Sequence, residues 1–259
     1  MDNENKLEPI MAVSRALQVL ELIGKNGSIS LNDLHIKSKI NKASLLRITY
    51  TLVEEGYAKK DEHSGDYSLT LKAYEVGLSA IHSIDKMSLI NSTLNELNEK
   101  TGRIAQFSIE DNNSLLCLQS INRNNTLFSV YSNIGSRSPL YCTSAGKAIL
   151  SAYSNTEILD KWEKMDVRGL TDNTITNFQD FIADLSATRK RGYALDLQEN
   201  ELGMCCIGAV VMGPTAKPVG AISLSGQVFR DINEIESVAE ILLPAVSRLS
   251  GMMGYINML

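Results

Sequence analysis

The feature that most constrains the fold is the segment 41–56, which has the pattern of one helix with a buried face. Asn41 is a favourable N-cap and Gly56 a favourable helix stop. Between them, apolar side chains recur three or four positions apart, at Leu45, Ile48, Leu52 and Val53. The segment therefore predicts a helix that packs against a core along one face and leaves the opposite face free.

The free face of this predicted helix is basic near its start. Lys42, Ser44 and Arg47 lie off the apolar stripe, where a recognition helix carries its contacts to phosphates and base edges. An ordinary surface helix with a solvated basic face is the alternative interpretation. The preceding segments favour the first. They predict a helix from about Arg15 to Lys25, capped by Ser14 and stopped at Asn26-Gly27, and a short helix capped by Ser30 that a brief turn joins to 41–56. Two helices joined in this way form a helix-turn-helix.

A predicted hairpin follows this helix, with strands at 57–61 and 66–69 around a turn. Such a hairpin is a wing, and its Lys59 and Lys60 are placed to reach backbone phosphates. A purely stabilising hairpin is the alternative. Residues 36–60 hold six Lys and Arg against two Glu, although the whole chain has a net charge of −5. A local basic patch on an acidic protein favours specific, salt-sensitive binding of double-stranded DNA.

The composition excludes several classes of protein. No apolar run approaches the ~18 residues that cross a bilayer, and residues 1–10 lack the pattern of an export signal. The four cysteines form no C-x-x-C pair, which indicates reduced thiols in a cytoplasmic protein. All three histidines fall within the first 82 residues, and Gly146-Lys147 does not belong to a P-loop. We therefore expect no membrane contact, no metal site, no catalytic triad and no cofactor.

The remainder of the chain predicts an α+β domain built on a central antiparallel sheet. The division expected is a winged helix-turn-helix at 1–70, a helical connector at 71–85 and a second domain at 86–259. Strands are expected at 103–110, 114–121, 127–132, 193–197, 205–212 and 218–226. Helices are expected at 86–100, 144–153, 156–165, 177–191 and 233–254.

Taken together, the motifs resemble those of the IclR family of bacterial transcriptional regulators over residues 13–254. In the first domain the likeness rests on S-R-A-L at 14–17, K-x-S-x-x-R at 42–47 and L-V-E-E-G-Y at 52–57. In the second domain it rests on the segments 135–148, 170–176, 191–209 and 221–226. The resemblance implies a winged helix-turn-helix, a GAF-like effector-binding domain, and dimers or dimers of dimers on palindromic operators.

Two positions depart from the family pattern. A hydroxyl residue usually stands between the Lys and the Ser or Thr of the recognition helix, and here it is Ala43. A Pro usually follows the C-I-A-A segment, and here Ile207-Gly208-Ala209 is followed by Val210. The first departure removes one possible DNA contact, and the second alters a strand near the implied ligand pocket.

The sequence also indicates where a ligand would bind. The turn 139–146 leads into a helix, so the amides of Ser144, Ala145 and Gly146 are candidates to hold an anion such as a carboxylate. The family resemblance implies an effector pocket lined by Ser144, Ala145, Asp196, Cys206, Ser223 and Ser225. An anion held by amides, with Asp and Ser left for hydroxyl groups, fits a small keto acid, hydroxy acid or sugar acid. Lys147 is interpreted as a surface charge.

Each of these positions also has a purely structural interpretation. Ser144 could simply cap its helix, Cys206 could be a core thiol, and the two serines could bond neighbouring strands.

The prediction for the whole chain is a ligand-responsive repressor of catabolic genes for a sugar acid or related small acid, and not an enzyme. An activator of the same family is one alternative. A ligand-binding module whose helix-turn-helix contacts proteins is another. A third is an acyl-serine hydrolase using Ser144 and Lys147 as S-x-x-K, although the K-T-G at 100–102 precedes that pair instead of following it.

Overall fold

A computed structural model describes residues 8–82, 87–122 and 134–255. The chain divides into two compact units, Met1–Asp85 and Lys86–Leu259. The helices are α1 (Met11–Asn26), α2 (Leu31–Ser38), α3 (Lys42–Glu54), α4 (Leu71–His82), α5 (Met87–Thr101), α6 (Ser144–Ser151), α7 (Asn155–Trp162), α8 (Phe178–Arg191) and α9 (Ile232–Met252). The strands are β1 (Ala58–Lys60), β2 (Tyr67–Leu69), β3 (Ile104–Asp111), β4 (Ser114–Ile121), β5 (Arg137–Ser138), β6 (Ala194–Leu197), β7 (Met204–Met212) and β8 (Pro218–Gln227).

The first unit packs α1, α2 and α3 around one apolar core and places the β1–β2 hairpin beside them. Val19, Ile23, Leu34 and Leu45 are fully buried in that core because each lies on the inward face of its helix. The backbone of Ile29 exchanges two hydrogen bonds with that of Tyr67, of 2.9 and 3.0 Å, which ties the hairpin to the helices. The first unit is a winged helix-turn-helix.

The helix ends of the first unit follow local capping chemistry, with one exception. Asn41 caps α3 by accepting the backbone N–H of Ser44 at 2.9 Å, and Ser30 caps α2. Gly56 has φ +74, a conformation that favours glycine, and it ends α3. The prediction that Ser14 caps the first helix is wrong: α1 begins at Met11, and the Ser14 hydroxyl bonds back to a carbonyl one turn earlier.

The second unit is built on a six-stranded antiparallel sheet with the order β5-β4-β3-β8-β7-β6. Helices α5 and α9 pack on one face, and α6 with its neighbour α8 packs on the other. The predicted α+β class with a central antiparallel sheet is therefore confirmed. The strand expected at 127–132 lies outside the described residues. The two-residue strand β5 was not predicted, because so short a segment has no recognisable pattern.

A second core surrounds α6 and holds the elements that carry the site. Leu140, Ile149, Leu150 and Phe181 are buried there, and the Trp162 ring lies 4.7 Å from that of Phe181. Helix α6 is thereby fixed against the sheet, with its N-terminus over β7. No helix among the described residues is long and apolar enough to cross a bilayer.

Candidate functional site

The basic residues predicted to contact DNA lie on α3 and on the first strand of the hairpin. Lys42 and Arg47 are exposed on α3, and Lys59 and Lys60 are exposed on β1. Ser44 is half-buried, and its backbone N–H is held by the Asn41 cap. None of the four cations forms an ion pair with another residue in the described part of the chain. The side of the first unit formed by α3 and the hairpin therefore presents free positive charge, as binding to a phosphate backbone requires.

Two exposed apolar residues on the same helix were missed by the sequence analysis. Leu46 is 51% exposed and Tyr50 is 65% exposed. Together with Arg47 they line a groove between α3 and the hairpin, at whose edge the Lys60 ammonium lies 5.7 Å from the centre of the Tyr67 ring. The sequence could have indicated that Leu46 and Tyr50 are exposed, because neither residue belongs to the buried stripe of the helix.

A cavity of about 320 Å³ lies in the second unit, within the size range of small-molecule sites. All six residues predicted to hold an effector line this cavity: Ser144, Ala145, Asp196, Cys206, Ser223 and Ser225. The sequence analysis missed the other lining residues, which are Gln106, Ser108, Leu115, Cys117, Ser136, Arg137, Ser138, Thr143, Asn200, Glu201 and Met204. Most of these side chains are polar, and Leu115 and Met204 are the large apolar ones among them.

The N-terminus of α6 forms one wall of the cavity. Thr143, and not Ser144, caps the helix, by accepting the N–H of Gly146 at 3.3 Å. The expectation that the Gly146 amide is available to a ligand is therefore wrong. The N–H of Lys147 bonds the Thr143 carbonyl. The N–H groups of Ser144 and Ala145 have no acceptor among the described residues. Two free amides at a helix N-terminus attract an anion.

Two glycines allow α6 to approach its neighbours this closely. A Cβ at Gly146 would lie 2.3 Å from the Leu140 carbonyl oxygen. A Cβ at Gly208, on β7, would lie 2.7 Å from the Ser144 carbonyl carbon and 2.9 Å from the Ala145 nitrogen. The N-terminus of α6 can thus contact β7 directly, because Gly146 and Gly208 have no side chains.

Asp196 lies in the wall of the same cavity, at the end of β6. Its Oδ1 accepts the backbone N–H of Glu199 at 2.8 Å and of Asn200 at 3.3 Å. Burial raises the pKa of Asp196 to about 6, although these two N–H donors oppose the rise. Burial also raises the pKa of the Cys206 thiol, so that the thiol is neutral at physiological pH. Asp196 is therefore a buried acidic group in the wall of the cavity, opposite in character to the α6 amides, and Arg137 and Glu201 also line the cavity.

The prediction that Lys147 is a surface charge is wrong. Its side chain is 1% exposed, and its ammonium lies 2.8 Å from Asp184 Oδ2 and 2.6 Å from Glu199 Oε1. Burial raises the pKa of Glu199 to about 7 against the attraction of this lysine. Because the N–H of Glu199 bonds Asp196, the ion cluster fixes the loop that follows β6 beside the cavity.

Ser223 and Ser225 face the cavity from β8 and are both 6% exposed. The Ser225 hydroxyl lies 3.5 Å from Gln106 Oε1, and the Gln106 amide donates to the Cys117 thiol at 3.6 Å. This row of polar groups crosses three adjacent strands, β8, β3 and β4. It offers donors and acceptors to several hydroxyl groups of one ligand.

The cavity does not have the chemistry of an acyl-serine enzyme. The lysine of the S-x-x-K pair would have to serve as a base, yet the Lys147 ammonium is held by two carboxylates. Among the described residues, no three His, Cys, Asp or Glu side chains are placed to hold a metal ion. The described lining residues of the cavity therefore include no serine with a free lysine base beside it.

Comparison with known sequences and structures gives matches over nearly the whole chain. The family described as bacterial transcriptional regulator IclR C-terminal matches residues 78–251, and the IclR helix-turn-helix domain matches residues 12–62. The HTH-type transcriptional regulator KdgR of Escherichia coli is 27% identical over 255 residues, covering 98% of this chain and 97% of that protein. The transcriptional repressor IclR of Escherichia coli is 25% identical over 224 residues, 85% of this chain and 81% of that protein.

A solved structure shares the fold at lower identity. An IclR homologue from Microbacterium hydrocarbonoxydans, crystallised with 4-hydroxybenzoate, superposes with a TM-score of 0.82 and 15% identity. The match covers 93% of this chain and 98% of that one.

Proposed function

The chain belongs to the IclR family of bacterial transcriptional regulators, which are not enzymes, and on that premise we propose that it is a cytoplasmic repressor of catabolic genes released from its operator by a small sugar acid or hydroxy acid. One relative is named a transcriptional repressor, which supports repression over activation. DNA binding in a bacterial cell requires a cytoplasmic protein.

The observation that carries the proposal is that one cavity joins two free amides at a helix N-terminus to a row of polar side chains. The free amides of Ser144 and Ala145 would hold the ligand carboxylate. Asp196, Ser223 and Ser225, with the neutral Cys206 thiol beside them, would bond its hydroxyl groups. A ligand with a carboxylate at one end and hydroxyl groups along its length satisfies both walls.

The polar lining of the cavity favours an aliphatic acid over an aromatic one. The solved homologue mentioned above carries 4-hydroxybenzoate, which has a carboxylate and a hydroxyl on an aromatic ring. A ring requires broad apolar walls, and the large apolar groups lining this cavity are Leu115 and Met204. An aliphatic polyhydroxy acid leaves fewer of the polar lining groups unpaired, so we expect it to bind in preference to an aromatic acid.

On the DNA side, we propose that Arg47 and Ser44 contact base edges in the major groove. Lys42, Lys59 and Lys60 would hold backbone phosphates. The protein would act as a dimer or a dimer of dimers, because a palindromic operator matches a two-fold assembly. Ligand binding would shift the balance between operator-competent and incompetent arrangements by its differential affinity for them.

The test is a thermal-shift panel on the full chain with aldonic acids, short hydroxy acids, keto acids and 4-hydroxybenzoate. A ligand at 100 times its dissociation constant adds about 2.7 kcal/mol to the native state. We expect a selective shift from a hydroxy or sugar acid that disappears in Asp196→Asn. The matched control is Asp166→Asn, which changes a carboxylate that is 72% exposed and lies outside the cavity lining.

The hit is then added to the protein bound to a duplex selected from a random pool. Release of the duplex supports a repressor induced by the acid. Tighter binding on addition of the acid would indicate an activator or a co-repressor ligand instead. A flat panel, or a shift that survives Asp196→Asn, would refute the assignment of the cavity.

A further inference from the structure

The exposed face of α3 carries two large apolar side chains that the core does not use. The helix packs inward through Leu45, Thr49 and Leu52, which are nearly or fully buried. Leu46 and Tyr50 lie one turn apart on the other face, 51% and 65% exposed. More than half of each side chain is therefore left outside the core of the first unit.

These two side chains are placed between cations. Arg47 follows Leu46 in sequence and lies one turn before Tyr50, and all three line the groove between α3 and the hairpin. Lys60 lines the opposite side of that groove. An apolar strip with cations on both sides complements a surface that has regular rows of negative charge and apolar groups between them. The regular rows of charge favour double-stranded DNA over a protein surface.

The major groove of DNA has this character. It admits one α-helix, its walls are phosphates, and thymine alone places a methyl group on its floor. The 13 residues of α3 span about 20 Å, enough to contact several successive base pairs.

We propose that Leu46 and Tyr50 contact thymine methyl groups in the operator and that this pair, together with Arg47, sets its sequence. The inference rests on the proposed DNA-binding function and deepens it. Arg47 and the lysines supply affinity that depends on salt. Leu46 and Tyr50 supply a preference for thymine at the positions they reach, with no change in the salt dependence.

The experiment is selection from a random duplex pool by the full-length protein, followed by anisotropy measurements on the selected duplex. Each thymine of that duplex is replaced in turn by uracil, which lacks only the methyl group. We expect about a fourfold loss of affinity at one or two positions per half-site, the amount that burial of one methylene-sized group is worth. Leu46→Ala and Tyr50→Ala should each bind the thymine duplex and the uracil duplex equally well at the position that the replaced side chain contacts.

The controls match the variants in residue type and exposure. Leu17→Ala changes a leucine on α1 that is 55% exposed, and Tyr74→Ala changes a tyrosine on α4 that is 62% exposed. Both should retain the uracil effect of the wild type. The salt slope of binding should stay the same in Leu46→Ala and Tyr50→Ala and should fall by about one in Arg47→Ala.

Three outcomes would overturn the inference, and they differ from failure of the proposed function. Uracil at every thymine could leave the affinity of the wild type unchanged, or both variants could select the wild-type sequence. Light scattering could also show that Leu46→Ala or Tyr50→Ala changes the mass of the particle, which would assign this face to contact between copies. If the wild type selects no sequence at all, the DNA-binding function fails and the inference fails with it.

Discussion

At the scale of single residues, the buried ammonium of Lys147 gives the largest expected effect on stability. Replacing it in Lys147→Met would leave the Glu199 carboxylate, which is 7% exposed, without its cation, while Asp184 would keep Arg191 at 3.5 Å. We expect a loss of about 3–5 kcal/mol in the free energy of unfolding, because removing one partner leaves buried charge uncompensated. Urea denaturation followed by Trp162 fluorescence measures it, since this sole tryptophan lies in the core around α6.

The matched control for that variant is Lys100→Met. Lys100 also pairs with a carboxylate, that of Glu96 at 2.7 Å, but its side chain is 56% exposed. An exposed pair contributes less than about 1 kcal/mol, so the control should be nearly neutral. Equal losses in the two variants would contradict the buried ion cluster.

The two carboxylates beside the cavity predict a pH dependence of stability. Burial raises the pKa of Asp196 to about 6 and of Glu199 to about 7, above their values in the unfolded chain near 4. The folded protein therefore binds more protons than the unfolded protein between about pH 4 and pH 7. These two groups add to the free energy of unfolding at low pH, and their whole contribution is present below pH 4. The contribution is lost as the pH rises to 7, and it amounts to about 1.4 kcal/mol for each unit of pKa shift.

Glu199→Gln tests this by removing one of the two groups. We expect the decline in stability between pH 5 and pH 7 to become shallower, again by Trp162 fluorescence. Glu157→Gln is the control, because hydrogen bonds from Ser154 hold the pKa of Glu157 below its usual value and its titration falls outside this window. An unchanged slope in Glu199→Gln would show that Glu199 stays ionised throughout the range.

The incorrect prediction for Lys147 shows why buried ion clusters are hard to predict from sequence. Lys147 has apolar neighbours and a helix start before it, and nothing local distinguishes it from a solvated lysine. Its partner Glu199 lies 52 positions away, and only the pairing of β6, β7 and α6 brings them together. The ends of α2 and α3 were predictable because each depends on a cap within three residues.

At the scale of elements, α6 depends on the absence of a side chain at Gly146. An added Cβ would meet the backbone of Leu140 at 2.3 and 2.6 Å, and backbone atoms cannot rotate away. We expect Gly146→Ala to reduce the free energy of unfolding by about 1–3 kcal/mol, as overpacking does. It should also weaken binding of the effector acid, because the free amides of Ser144 and Ala145 move with the helix.

Gly251→Ala in α9 is the matched helical control for that variant. A Cβ there would meet nothing within 4 Å, so the change should leave stability unchanged or raise it by up to about 1 kcal/mol. Chemical denaturation separates the two outcomes. A Gly146→Ala variant with wild-type stability and the wild-type ligand-induced thermal shift would contradict the close contact between α6 and Leu140.

At the scale of the whole molecule, the regular pattern of the sequence was enough to predict the class of both units, because buried stripes and turn residues are local signals. The six residues predicted to hold an effector come from α6, β6, β7 and β8, and the strand order brings them together around one cavity. Their proximity followed from family resemblance and not from any spacing in the sequence. The sequence analysis missed Gln106 and Cys117, which line the cavity from β3 and β4, because no recognisable sequence motif surrounds either residue.

The regulator hypothesis makes one prediction that belongs to neither unit alone. If the effector acid lowers operator affinity by some factor, the operator must lower effector affinity by the same factor, because both report one coupling free energy. A coupling of about 1–3 kcal/mol corresponds to roughly 5- to 150-fold. Anisotropy with and without saturating acid gives the first factor, and calorimetry of the acid with free and DNA-bound protein gives the second.

The two site variants separate binding from coupling in this measurement. Asp196→Asn should bind the operator normally and show no effect of the acid. Arg47→Ala should bind the operator weakly while the free protein keeps its wild-type affinity for the acid, because that residue lies in the other unit. If saturating acid leaves operator affinity unchanged in the wild type, the cavity and the DNA-binding side of α3 are not coupled, and the acid is not the effector of this regulator.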